Sequence, residues 1–220
     1  MNESQNRENR NRENRGNAGK ETAGEKGSKS GDFKKELFGY IRMIAVVVLV
    51  IVLLQEFIII NARIPSASME PTVSVGNQIF GSRLTYKFRD PERYDIIIFH
   101  DPDNPKKLLI KRIIGMPGDT VDIHDGNVYI NGSETPLEDS FCMEPSSTLE
   151  GNLVYPIVVP SDSYFVLGDN RMDSNDSRFW TNTFVQKGEI LGNAVFRYWP
   201  VWEIGPIHGA EEGWYNPQGA

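Results

Sequence analysis

"LLIKRIIGMPGDTVDIHDGNVYING", residues 108–132, sets the character of the second half of this chain. Three short runs rich in β-branched residues, 108–114, 120–124 and 127–130, are separated by turn residues, the pattern of strands rather than helices. Asp125-Gly126 between the last two is a strong hairpin signal, and Asn131-Gly132 reads as another. The first run carries Lys111 and Arg112 side by side among apolar residues. Strand neighbours point to opposite faces, so one of the two must point inward or be covered. An inward arginine wants carboxylates; an inward lysine loses its charge.

Outward from this stretch the pattern continues. "DIIIF" (95–99), "SYFVL" (163–167) and "GNAVFRYW" (192–199) read as further strands, and no long amphipathic helix interrupts them. The expected fold is mainly β, in coiled or barrel-like antiparallel sheets. Residues 132–160, richer in Pro, Ser and Glu, look like a variable excursion between core strands.

Towards the N-terminus the composition changes twice. Residues 43–54 are unbroken apolar, Gln55 and Glu56 interrupt, and 57–60 resume. Eighteen helical residues span roughly 27 Å, close to a hydrocarbon core, so 37–60 reads as one transmembrane signal anchor, with Arg42 snorkelling at its end. A cleavable signal peptide fits less well, because its charged leader is too long and no small-x-small site follows. Residues 1–42 carry ten Lys or Arg, including Lys34 and Lys35, whereas the far side offers only Arg63 at once. The positive-inside rule places the N-terminus in the cytoplasm and 63–220 outside, in a single pass. Residues 1–36 read as a disordered tail: 1–32 lack Leu, Ile, Val and aromatics, and Asn-Arg-Glu-Asn-Arg repeats at 6–10 and 11–15. A β-rich domain over 61–202 and a C-terminal tail over 203–220 complete the organisation.

The 220-residue chain has net charge −7, and its part outside the membrane, 63–220, carries 13 basic and 22 acidic residues. No nucleic-acid partner is expected. A single cysteine, Cys142, excludes an internal disulfide and a multi-cysteine zinc site, and it reads as an ordinary core or loop thiol.

Four stretches can carry chemistry. "IPSASMEPT" (64–72) places Ser66 and Ser68 among prolines, four residues beyond the apolar run. "YDIIIF" (94–99), "LIKRIIGMPGDTV" (109–121) and "LGDNRMDSNDSRFW" (167–180) follow. No histidine lies near either serine in sequence. A free lysine with a pKa near 10.4 is neutral in only roughly one molecule in 2,500 at pH 7, but burial lowers that pKa by several units. A neutral Lys111 can then accept a serine proton, the Ser-Lys variant of an activated nucleophile. Asp169, Asp176, Arg171 and Arg178 can form ion pairs, with Arg112 as a further partner, and Ser174 can aim a lysine amine.

In this order the stretches resemble the boxes of type I signal peptidase, the membrane-bound Ser/Lys leader peptidase. "IPSASMEPT" is similar to its Ser-x-Met-x-Pro-Thr box, "LIKRIIGMPGD" to its lysine box, "GDNRMDSNDSR" to its Gly-Asp-Asn-Arg box and "YDIIIF" to its Gly-Asp-Ile-Val-Val-Phe box; "GNAVFRYWP" also fits. The resemblance covers about 38–202. The single anchor and the short stretch between Lys111 and Asp169 resemble the small Gram-positive form. The resemblance implies a signal-peptidase fold and a serine endopeptidase that trims signal peptides from exported preproteins, cutting after small-x-small residues through an acyl-enzyme. It implies Ser68 as nucleophile, Lys111 as general base, Ser66 in the oxyanion hole and Ser174 orienting the lysine. Arg112, Asp169, Asp176 and Arg178 hold the site together. Ile64, Pro65, Met69, Val73 and Ile110 are candidate pocket walls. Neither metal nor cofactor is required, and the implied partners are signal peptides, membrane lipid and the secretion translocon. Tyr94 departs from the family's glycine before Asp95, and Met172-Asp173 fill its variable pair. Two alternatives remain open at this point: a Ser-His-Asp hydrolase using His100, His124 or His208, and a catalytically silent membrane-tethered β domain.

Overall fold

Strands whose residues are apolar without alternation need cover on both faces, and here the two such runs become the most enclosed strands. A computed structural model describes residues 29–143 and 147–207. The repeated Asn-Arg-Glu-Asn-Arg tail, His208 and most of the C-terminal tail lie outside them. Helix α1 (Lys29–Phe57) is followed by β1 (Ile59–Arg63), β2 (Gln78–Ser82), a short helix α2 (Thr85–Phe88), β3 (Ile96–Asp101) and β4 (Asn104–Gly115). Then come β5 (Thr120–His124), β6 (Asn127–Ile130), β7 (Ile157–Val158), β8 (Ser163–Leu167), β9 (Val185–Gln186), β10 (Ile190–Trp199) and β11 (Gly205–Pro206). The chain divides into two units between Val52 and Leu53.

The larger sheet runs β1-β2-β10-β3-β4-β8-β9, with β11 added to β10; the smaller is β6-β5-β7, and every pairing is antiparallel. The mainly β architecture and the six expected strands are therefore present. β3 and β8 are buried on both faces, as their unbroken apolar runs require. One core gathers Ile114, Val121, Ile123, Phe141, Phe165 and Leu167. A second packs Ile64, Met69, Val73, Ile79, Ile96 and Ile98, and a third joins Ile97, Phe99, Ile113, Val166 and Trp180. Each such side chain contributes roughly 1.5–3 kcal/mol on burial.

Three boundaries differ from the sequence reading. The helix begins at Lys29, so the tail expected over 1–36 is helical from there on; Lys34, Lys35, Glu36 and Leu37 are all good helix formers. It ends at Phe57, not 60, because Ile59 and Ile60 pair with Ser82 and Gly81 as the edge strand, and Ile60 joins the second core. Asp125 and Gly126, both at positive φ, close the β5–β6 hairpin, whereas Asn131-Gly132 has the same backbone signs but leads into a loop without a partner strand. The apolar part of α1, Lys34–Gln55, is long and apolar enough to cross a membrane by length and composition.

β2 and β10 approach closely where Ser82 pairs with Asn193. A Cβ on Gly192 there would run into the Ser82 carbonyl oxygen, a backbone atom that cannot swing aside. Gly192→Ala is expected to cost about 1–3 kcal/mol through this overpacking. Denaturant unfolding of the purified protein checks it; an unchanged midpoint would mean the two strands do not meet so tightly.

Candidate active site

Lys111 and Arg112 lie in the enclosed half of β4, where Lys111 pairs with Ile97, and Arg112 pairs with Ile96 on one side and Leu167 on the other. Cross-strand partners share a face, so the two cations leave the strand in opposite directions. Both are buried, Lys111 to 3% exposure and Arg112 to 1%. The sequence required cover for one; the fold covers both, with a different partner on each side.

On the Lys111 side the partner is Ser68. The 64–77 loop leaves β1 and returns to β2, tied at its base by Ile64 N–H to the Asn77 carbonyl and Gly76 N–H to the Ile64 carbonyl, both 2.9 Å. A single 3-10 turn, Ala67–Met69, carries Ser68 inward to 8% exposure. There the Lys111 ammonium donates to Ser68 Oγ at 2.7 Å and to the Ile110 carbonyl at 3.0 Å. The Ser68 carbonyl accepts from Asn170 N–H at 3.1 Å, which fastens the loop to the turn after β8. Gly168 in that turn has no room for a Cβ: Ser174 Oγ and the Ser68 carbonyl already occupy its place.

On the Arg112 side the partner is Asp169. Arg112 Nε and Nη2 donate to its two carboxylate oxygens at 2.7 and 2.6 Å, and Thr72 Oγ1 donates to one of them at 2.6 Å. Arg112 Nη1 donates to the Tyr94 carbonyl at 3.0 Å, and the guanidinium lies 4.1 Å from the Phe141 ring centre. Ser68 and Thr72, four residues apart in one loop, thus bind it to the neighbouring positions Lys111 and Arg112. Asp176 accepts from Gly168 N–H at 3.0 Å and from Arg178 Nε and Nη2, each at 2.8 Å. Arg171 bonds the Gly168 carbonyl and Thr148, and pairs with Asp139 at 3.3 Å. Breaking one partner of such a buried pair costs about 3–5 kcal/mol.

The electrostatics of the two cations differ. Arg112 is fully paired. Lys111 is desolvated, which pushes its amine down from 10.5 to about 8, while Asp176 and Asp169 pull the other way. At pH 7 about one molecule in ten then carries a neutral amine.

Several expectations meet a different geometry. Met69 and Val73 have no exposed surface and Ile64 is buried, so these three pack in the core beneath the loop instead of walling a pocket. Pro65 is exposed and Ile110 half-buried. Ser66 is exposed in extended backbone, and its hydroxyl caps nothing. Ser174 Oγ is buried beside the Ser68 carbonyl but has no hydrogen-bond partner among the described residues, so it does not hold Lys111 in this structure. Thr72, Asn170, Asp139 and Phe141 were missed by sequence reasoning; the last two sit in the excursion, whose composition gave no sign of a buried contact. Tyr94, in place of the family's glycine, has φ 74°, the left-handed region that glycine tolerates; its ring packs edge-on against Phe141. Of the histidines, His100 Nδ1 meets the Pro105 carbonyl, and His124 stacks on Tyr129 beside Asp122.

The pattern that describes the family "Signal peptidase, peptidase S26" matches residues 37–199. The chain is 40% identical over 168 residues to the probable signal peptidase I-2 of Synechocystis, covering 74% of this chain and 73% of that one. It is 40% identical to signal peptidase I of Leptolyngbya laminosa, covering 70% and 75%. A crystal structure of a signal peptidase I from Enterococcus faecalis is 34% identical but aligns over 48% of this chain with a TM-score of 0.39, so the assignment rests on sequence. By these matches the chain belongs to the signal peptidase family, peptidase S26. Within it, the protein is an enzyme of the signal peptidase I kind.

A lysine whose pKa is lowered on folding is held more tightly protonated by the unfolded chain. Below about pH 8 the fold therefore bears a penalty of about 3 kcal/mol, which is relieved as pH rises from about 8 to 10.5. Lys111→Met, similar in volume and uncharged, should raise the unfolding midpoint at pH 7 and flatten its rise above pH 8. A variant less stable than the parent at both pH values would count against a desolvated ammonium at this position.

Proposed function

We propose that the protein is a membrane-anchored serine endopeptidase that removes N-terminal signal peptides from exported preproteins by a Ser68/Lys111 dyad. The observation that carries this reading is the buried Lys111 amine 2.7 Å from Ser68 Oγ. In the neutral form Lys111 Nζ accepts the Ser68 proton as Oγ attacks the scissile carbonyl, and the resulting ammonium gives that proton to the leaving amine. Water then attacks the acyl-enzyme, with Lys111 again as base, and Ser68 is released. Ser66, exposed and uncommitted, supplies with the Ser68 N–H the donors for the oxyanion, each typically worth about 2.7–4 kcal/mol. The unbonded Ser174 hydroxyl is available to orient the amine. Arg112, Asp169, Asp176 and Arg178 keep the two loops in register, and no step calls on a metal or cofactor.

The substrate segment binds extended, with main-chain hydrogen bonds giving affinity and small residues at the first and third positions before the bond. Pro65 and Ile110 border that site, and Ile64, Met69 and Val73 form the floor that fixes the loop's shape. α1 crosses the membrane once, N-terminus in the cytoplasm, with Lys34, Lys35 and Arg42 on that side. Membrane lipid and the secretion translocon are the neighbours this placement implies. Ser68 follows the helix by eleven residues, so the reaction is held near the surface where signal-peptide cleavage sites emerge.

The test is cleavage of a preprotein by the detergent-solubilised enzyme. Ser68→Ala and Lys111→Ala should each lower kcat/KM at least about a thousandfold. For the parent, kcat/KM should climb with pH along an acid limb near pH 8, because the base is the neutral amine. Full activity in Lys111→Ala, or a limb near 6.5 as for a histidine, would overturn the dyad.

A further inference from the structure

The first residues after α1 meet a part of the domain that the proteolytic site does not use. The N–H of Arg83 donates to the Ile58 carbonyl at 2.9 Å, which brings the end of β2 against the end of the helix. Phe57, Arg83, Tyr86, Lys87, Ile190 and Leu191 enclose an open hollow of about 330 Å³. Its lining combines the apolar Phe57, Ile190 and Leu191 with two cations, Arg83 and Lys87. Beside it, Phe88 projects with 85% of its surface exposed.

Nearby cations are already committed. Arg89 pairs with Asp95, Lys187 with Asp90 and Arg93 with Asp119. Arg83 and Lys87 form no ion pair among the described residues, and the Nε–H of Arg83 is buried without an acceptor. In a segment with excess acid, two uncommitted cations around an apolar hollow are complementary to an amphipathic anion. α2, which carries Lys87, is fixed to the domain by Tyr86 Oη donating to Asp95 at 3.0 Å, which places Lys87 at the hollow.

Position selects the anion. The apolar span ends at Gln55, and Phe57 lies two residues on, about 3 Å further along a helix. If α1 crosses the membrane, the hollow sits at headgroup level, where aromatic and basic side chains concentrate. We infer that this hollow binds an anionic phospholipid, its phosphodiester between Arg83 and Lys87 and its glycerol and upper acyl carbons against Phe57, Ile190 and Leu191. The inference rests on the membrane-spanning reading of α1 and adds to it a lipid class and a site.

The intact protein is reconstituted in phosphatidylcholine vesicles with a minor fraction of a photoreactive phosphatidylglycerol, irradiated, and mapped by peptide mass spectrometry. Adducts should fall on 57–58, 83–88 and 190–191 and resist excess inorganic phosphate. In the Arg83→Gln/Lys87→Gln double variant they should drop about five- to thirtyfold. The double variant should retain preprotein cleavage in detergent, which shows that it is folded. Equal labelling by photoreactive phosphatidylcholine, equal labelling of the double variant, or competition by free phosphate overturns the inference. If alkaline extraction strips the parent protein from the vesicles, the spanning reading fails and the lipid site falls with it. Absent labelling in protein that resists extraction defeats the lipid site alone.

Discussion

The contact between Lys111 Nζ and Ser68 Oγ is the constraint to which the rest of the domain answers. An amine can be kept from water only by surrounding it, and a hydroxyl on a loop can be kept against it only by holding that loop at several points. The β3–β4–β8 ladder supplies the surround, with Ile97, Ile113 and Val166 in one apolar core. The 64–77 loop supplies the hydroxyl, and Met69 and Val73 sink into a different core to hold it. The energy of those cores is what supports a desolvated lysine at neutral pH.

Arg112 solves the complementary problem. Its charge is retained and answered in full by Asp169, Thr72, the Tyr94 carbonyl and the face of Phe141. Because Arg112 is covalently next to Lys111, and Thr72 is four residues past Ser68, this satisfied cluster locks the register between loop and strand. The same turn contributes Gly168, whose missing side chain lets Ser68 and Ser174 crowd together, and Asp169, which closes the ion pair. Neighbouring residues thus serve two opposite electrostatic ends, one charge paired in full and one left desolvated so that it is lost more readily.

Much of this was legible in the chain. The runs at 95–99 and 163–167 announced strands, and the adjacent Lys111 and Arg112 announced a buried cation. What the sequence concealed has physical causes. β1 was absorbed into the apolar run of the anchor, since Ile58–Ile60 suit lipid and sheet equally well; only pairing with β2 separates the two uses. β2, five residues including a glycine, carries too weak an alternation to stand out. Met69 and Val73 were read as candidate pocket walls, yet an apolar residue there is as easily the loop's anchor. Phe141 and Asp139 reach Arg112 and Arg171 from a polar excursion, a long-range contact that no local pattern encodes.

The most direct measurement is the titration of Lys111 itself. Selective isotope labelling of lysine in the intact protein, assigned against Lys111→Met, gives the pKa of its ε-amine by NMR. A value close to 8 is expected, well below that of the exposed lysines. A value near 10.4, the ordinary solvated figure, would contradict the account.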